Sequence, residues 1–111
     1  MNIPELAGKL GAEILIPGAE DADVKTAYTS DLLSDVLGNA EDDAILITIQ
    51  AHRNTVAVAF QVNAHAVLVC NGREVPPDML EAARKEDIAV LRTKENQFLS
   101  SHRVHVALFG G

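Results

Sequence analysis

Cationic side chains are scarce in this chain. Nine Lys and Arg stand against sixteen Asp and Glu, a formal net charge of -7 over 111 residues. Binding along a phosphate backbone needs a broad positive face, so no nucleic-acid partner is expected. A small anion held by one or two local cations remains compatible with that charge. Tryptophan is absent and aromatic residues make up 4%, so the core must be assembled from Ala, Val, Ile and Leu. The single cysteine, Cys70, rules out an internal disulfide framework and carries no sign of an oxidising compartment. No apolar stretch approaches the ~20 residues of a membrane span. The opening "MNIPELAGKL" also lacks the basic-then-apolar layout of a signal peptide. No membrane partner is expected, and the expected location is the cytoplasm. Neither GxxxxGK followed by Ser or Thr nor GxGxxG occurs, so the chain has no P-loop and no dinucleotide fingerprint.

What is present suits one domain spanning residues 1–111, with a hydrophobic fraction of 48% to fill its core. Ile3, Leu6 and Leu10 fall at helical spacing, with Pro4 tolerated in a first turn and Gly11 as a stop. "AEILIPG" reads as a short strand closed by Pro17 and Gly18, and "DVKTAYTS" as a second, alternating Val24, Thr26 and Tyr28. In "SDLLSDVLG", Leu32, Leu33, Val36 and Leu37 form a helical stripe, Ser30 is placed to cap it, and Gly38 offers a left-handed stop. "DAILITI" is a continuous apolar run of strand length, the pattern of a strand covered on both faces. "NTVAVAF" fits two templates: a helix capped by Asn54, or a strand forming a hairpin with residues 45–49 across "QAHR". "HAVLVC" and "IAVLRT" read as strands and "NGREVPP" as a loop. "PDMLEAARKED" reads as a helix with Pro77 at its start, and "KENQFLSSHRVHVAL" as a closing helix with Thr93 as its cap. The acidic residues gather in "GAEDADV" and "NAEDDA", which read as solvated loops.

Three successive β-then-α units predict a three-layer α/β/α fold. Its sheet is expected to be mainly parallel, of about five strands, joined by right-handed crossovers. Ligands of such sheets sit beyond the carboxyl ends of the strands, where helix N-termini point. Polar chemistry gathers there after strand upon strand. Thr29, Ser30 and Asp31 follow the second; Thr48, Gln50, His52, Arg53 and Asn54 follow the third; Cys70, Asn71, Gly72 and Arg73 follow the fourth; Arg92 and Thr93 follow the fifth. From these, Ser30, Asp31, Thr48, Gln50, His52, Arg53, Asn54, Asn71, Gly72, Arg73 and Thr93 form the candidate ligand-binding set, with Arg53 and Arg73 as anion contacts.

Each has a plainer reading. Ser30 and Asp31 suit a helix cap and a first-turn acid matched to the dipole. Gly72 suits a positive φ, and the two arginines suit a solvated surface. Cys70 ends a buried strand as a small apolar filler with no paired base. His102 and His105 lie one helical turn apart, too few ligands for a metal with Cys70 as the only thiol. No catalytic residue, metal or cofactor is expected.

The segments "TSDLLSDVL", "LITIQAHRN", "VLVCNGREVP" and "VLRTKENQF" together resemble the DRTGG domain family. That family is related to the N-terminal domain of HPr kinase/phosphorylase, and it also occurs in phosphate acetyltransferases and beside CBS domains in some pyrophosphatases. The resemblance runs from Val24 to the end and is similar to the family's single-domain members. The family's Gly-Asp-Arg loop reads Ala51-His52-Arg53 here, keeping the arginine. Its Thr-Gly-Gly loop reads Cys70-Asn71-Gly72, keeping the last glycine. The resemblance implies a helix for residues 54–60 and a regulatory or assembly domain without catalysis of its own. The function expected is a module binding a nucleotide or phosphorylated metabolite, expected to be a homodimer because so short a domain buries a modest share of its surface. The alternative is a protein-interaction or oligomerisation domain serving a larger enzyme or sensor kinase. A minimal phosphotransferase using His52 and Asp31 ranks last.

Overall fold

Two strands set the architecture because they are apolar on both faces. β3 (Ala44–Thr48) and β4 (Ala66–Val69) are buried at every position, which a strand achieves only with a layer on each side. In the computed structural model, which describes residues 1–110, both lie inside a five-stranded sheet ordered β1-β5-β4-β3-β2. β2 (Thr26–Thr29) and β5 (Ala89–Arg92) flank them in parallel. β1 (Glu13–Ile16) closes the other edge antiparallel to β5, placing Glu13 opposite Arg92. The sheet is therefore mainly parallel with one antiparallel edge. Leu46, Val67, Val69 and Val90 enter one core, and Ile45, Ile47, Leu68 and Leu91 the other, the two-residue alternation of a pleated strand.

The helices divide between those cores. α2 (Leu33–Asn39), α3 (Arg53–Gln61) and α4 (Pro77–Glu86) cover the first through Val36, Val56, Ala59, Met79 and Ala83. α1 (Ile3–Leu10) and α5 (Gln97–Phe109) cover the second through Ile3, Leu6 and Val104. Three crossovers of one hand advancing in one direction across a sheet must leave their helices on one side. Residues 54–60 lie within α3, with Val56 and Ala59 buried and Ala57 and Phe60 exposed. The hairpin alternative is excluded. Among the described residues, no helix is long and apolar enough to cross a membrane.

Residues 17–25 carry the chain from one edge of the sheet to the other, past the amino ends of the strands. Gly18 passes Ala89 there, and Lys25 donates its N–H to the Asp43 carbonyl at 2.9 Å. A Cβ on Gly18 would stand 2.7 Å from the Ala89 nitrogen, and its φ of +72° is one that other residues adopt at a cost.

Several helix ends differ from expectation. Gly11 is a left-handed C-cap and Pro77 opens α4, as expected. Ser30 does not cap α2: the helix starts at Leu33, and the Ser30 hydroxyl instead accepts from the Leu32 N–H at 3.1 Å, a local turn. α2 also runs past Gly38 to Asn39 and ends on extended Ala40. Its stripe is thinner than the apolar spacing suggests, because Leu32 and Leu37 are exposed. Asn54 lies inside the first turn of α3, with His52 at the cap position. Asn96 and not Thr93 caps α5, accepting from the Leu99 N–H at 2.9 Å.

β2 is an edge strand, and a side-chain bond ties it to α2. The Tyr28 hydroxyl donates to Asp35 Oδ2 at 2.8 Å. That bond holds the Asp35 carboxyl below its ordinary pKa and pushes the Tyr28 phenol up. A depressed carboxylate contributes stability above its unfolded pKa of about 3.9 and loses it as pH falls through the folded value. Tyr28→Phe should therefore flatten the acid limb of the stability-pH curve below about pH 4, measured by thermal melts; an unchanged acid limb would remove this link.

Candidate functional site

At the carboxyl ends of β2 and β3 the polar residues bond to one another. Asp31 Oδ1 accepts from Thr48 Oγ1, the Ile49 N–H and Gln97 Nε2, each at 2.9 Å. Gln50 Nε2 donates to the Asp31 carbonyl at 2.9 Å, and the Gln50 N–H to Thr48 Oγ1 at 3.0 Å. Asp31 is thus not a first-turn acid: it precedes α2, and its Oδ1 is taken up by three donors. It joins the exits of β2 and β3 to the first residue of α5. Gln97 has no sequence signal for this role, since it acts across 66 residues.

The exits of β4 and β5 are joined by backbone. The Asn71 N–H donates to the Glu95 carbonyl at 2.9 Å and the Gly72 N–H to the Thr93 carbonyl at 2.8 Å. Asn71 and Gly72 have φ of 64° and 60°, and the Arg73 N–H closes onto the Cys70 carbonyl at 3.4 Å. Positive φ at both centres is the requirement of a primed turn, which explains Asn-Gly at this point. Thr93 extends the β4–β5 ladder through its N–H, and its hydroxyl accepts from the Glu95 N–H at 3.2 Å.

These two exits also part company. The chain leaves β4 for the α2–α4 side and leaves β5 for the α1–α5 side. Divergence of neighbouring strand exits is the geometry that opens ligand crevices in α/β sheets. Next to it lies a recess of about 540 Å³, walled by the end of α1, the start of β1, the end of β5 and α5. This is within the size range of small-molecule sites. Lys9, Arg92, Lys94 and Arg103 line it, four of the nine cations in the chain. Gly72 and Thr93 also reach it.

Two carboxylates share that wall. Arg92 meets Glu13 at 3.2 Å, and Arg103 grips both oxygens of Glu95 at 2.9 and 3.0 Å. These pairs are partly solvent-exposed and worth about 1 kcal/mol or less each. Lys9 and Lys94 have no carboxylate within 4.0 Å among the described residues. The recess is locally positive in a strongly negative molecule.

The candidate set is thus divided. Ser30, Asp31, Thr48 and Gln50 lie around the hydrogen-bonded hub. Gly72 and Thr93 line the recess, and Asn71 adjoins it in the turn. Arg53 lines a separate groove between α3 and α4, while His52, Asn54 and Arg73 are exposed and line neither cavity. Lys9, Lys94 and Arg103 were not anticipated. Only the antiparallel pairing of β1 brings α1 to this rim, and nothing in the local sequence announces that pairing. Cys70 is fully buried with its sulfur 3.5 Å from Ser100 Oγ. Burial pushes its thiol pKa up, so it suits the filler role. Among the described residues no group of His, Cys, Asp and Glu could hold a metal ion.

The DRTGG domain model matches residues 5–107. The chain belongs to the DRTGG domain family. No curated protein matches this DRTGG domain's sequence. Its fold is similar to that of the CBS and DRTGG domains of the regulatory region of Clostridium perfringens pyrophosphatase, solved with the activator diadenosine tetraphosphate. The TM-score is 0.74 at 16% identity, over 96% of this chain and 47% of that one. This DRTGG domain thus spans about half the length of that neighbour.

The hub gives a stability prediction. Asp31→Ala strands three donors at a half-buried site and should destabilise by about 2–4 kcal/mol, whereas Asp31→Asn keeps an acceptor and should cost about 1 kcal/mol. Urea unfolding of both variants distinguishes them; equal losses would show that the carboxylate charge, and not acceptance, matters.

Proposed function

We propose that this DRTGG domain is a non-catalytic regulatory module that binds a small phosphorylated ligand at the carboxyl rim of its sheet. The observation that carries the reading is the gathering of Lys9, Arg92, Lys94 and Arg103 around one recess of a chain with net charge -7. Charge-assisted bonds from several directions are how proteins hold phosphate oxygens. The fold neighbour, a regulatory region complexed with a dinucleotide activator, supports the ligand class. It also supports service to a larger enzyme. The family's regulatory role supports the non-catalytic reading, and it is consistent with Cys70 being buried and Asp31 Oδ1 being taken up by three donors.

The test is isothermal titration and thermal shift with ATP, diadenosine tetraphosphate and a sugar phosphate. Ligand at 100 times its Kd should add about 2.7 kcal/mol of stability. Lys9→Ala/Lys94→Ala should weaken binding about tenfold or more. Silence across the panel, or a double variant that binds as well as the parent, would remove the site.

A second reading, self-association, rests on α5. Phe98 is 80% exposed and Phe109 59%, with Leu99 and Val106 also uncovered. The helix carries no carboxylate, so two copies could approach on this face without the acid–acid repulsion expected elsewhere. Light scattering should then report a dimer that Phe98→Asp/Val106→Asp converts to monomer; a monomeric parent at high concentration would retire it.

A further inference from the structure

The cationic recess is equipped for phosphate and for little else. Recognition of a nucleobase uses an aromatic or guanidinium face for stacking and paired donors and acceptors for its edge, and the two guanidiniums here, Arg92 and Arg103, are each tied to a carboxylate. All four aromatic side chains are elsewhere. Tyr28 is bonded to Asp35, Phe60 lines the α3–α4 groove, and Phe98 and Phe109 do not line the recess. No side-chain amide lines the recess; Asn71 adjoins it in the turn, and the others of this rim are bonded elsewhere. Gln97 donates to Asp31 Oδ1, Gln50 to the Asp31 carbonyl, and Asn96 accepts from the Leu99 N–H. What remains on the walls is cationic heads, the Glu13 and Glu95 carboxylates held by Arg92 and Arg103, glycine backbone, the Thr93 hydroxyl and the aliphatic Leu10.

The cations are also distributed. Lys9 comes from α1, Arg92 from β5, Lys94 from the following loop and Arg103 from α5. Four donors on separate elements suit an anion with charge spread along its length better than one tetrahedral group. Glu13 and Glu95 are taken up by Arg92 and Arg103, which leaves the two lysines to engage first.

We propose that the recess reads an oligophosphate chain and is indifferent to the nucleoside attached to it. This rests on the reading above that the rim takes a phosphorylated ligand, and it assigns the phosphate chain as the recognised part. Tripolyphosphate, ATP and GTP should then bind alike, and orthophosphate more weakly, because it reaches fewer cations. Screening should weaken all of them as salt rises.

The experiment is isothermal titration of the full chain with sodium tripolyphosphate, ATP, GTP, orthophosphate and adenosine, at two salt concentrations, without divalent cations. Lys9→Ala/Lys94→Ala is titrated alongside, its fold checked by circular dichroism. The expected result is agreement of tripolyphosphate, ATP and GTP within threefold, orthophosphate at least tenfold weaker, no heat from adenosine, and a tenfold or greater loss in the double variant. ATP binding more than threefold tighter than tripolyphosphate or GTP would overturn base indifference while leaving the phosphorylated-ligand reading intact. Orthophosphate binding as tightly as tripolyphosphate would overturn recognition of a chain. Tripolyphosphate binding unaltered in the double variant would move the site away from this recess. No binding by any phosphorylated compound would sink both readings.

Discussion

The structure depends on a sheet whose interior must be dry on both sides. β3 and β4 present no polar face, so neither helical layer is dispensable. Burial of each large aliphatic side chain contributes about 1.5–3 kcal/mol, and residues such as Leu46 and Leu68 divide that gain between the layers. One layer is supplied by the crossovers themselves. The other has to come from outside the repeating β-α units, and α1 and α5 supply it. That demand sends the chain to the opposite side after β5 and makes neighbouring exits diverge. The recess is thus a by-product of completing the core.

The same organisation explains why polar residues crowd the rim without all being available to a ligand. Buried or half-buried polar atoms need partners, and the exits of β2 and β3 find theirs in Asp31. The exits of β4 and β5 find theirs in a backbone ladder and a primed turn. Once those requirements are met, the cations left without a carboxylate among the described residues include Lys9 and Lys94 at the recess and Arg53 and Arg73 away from it.

How much of this was legible in the sequence depended on how local the cause was. The continuous apolar runs of β3 and β4, the stop at Gly11 and the start at Pro77 all act within a few residues, and each is where the pattern places it. Residues 54–60 satisfied both periods, and only packing against the sheet selects the helix that the family resemblance implied. Caps read from residue type alone misplaced Ser30, Asn54 and Thr93, because each hydroxyl or amide had a competing local turn, helical or ladder position. The site was the least legible. Arg53 and Arg73 follow the expected strands, yet the cations that converge come from β5, the loop after it, α5 and, through an edge strand running the other way, α1.

The recess also takes its walls from residues 8–13 at one end of the chain and residues 72–103 at the other. No short stretch of the sequence contains it. An occupant would touch the earliest helix and the last one at once, clasping segments that are otherwise joined through β1, β5 and the α1–α5 packing. Occupancy would then be felt as resistance to opening at the seam between α1 and α5.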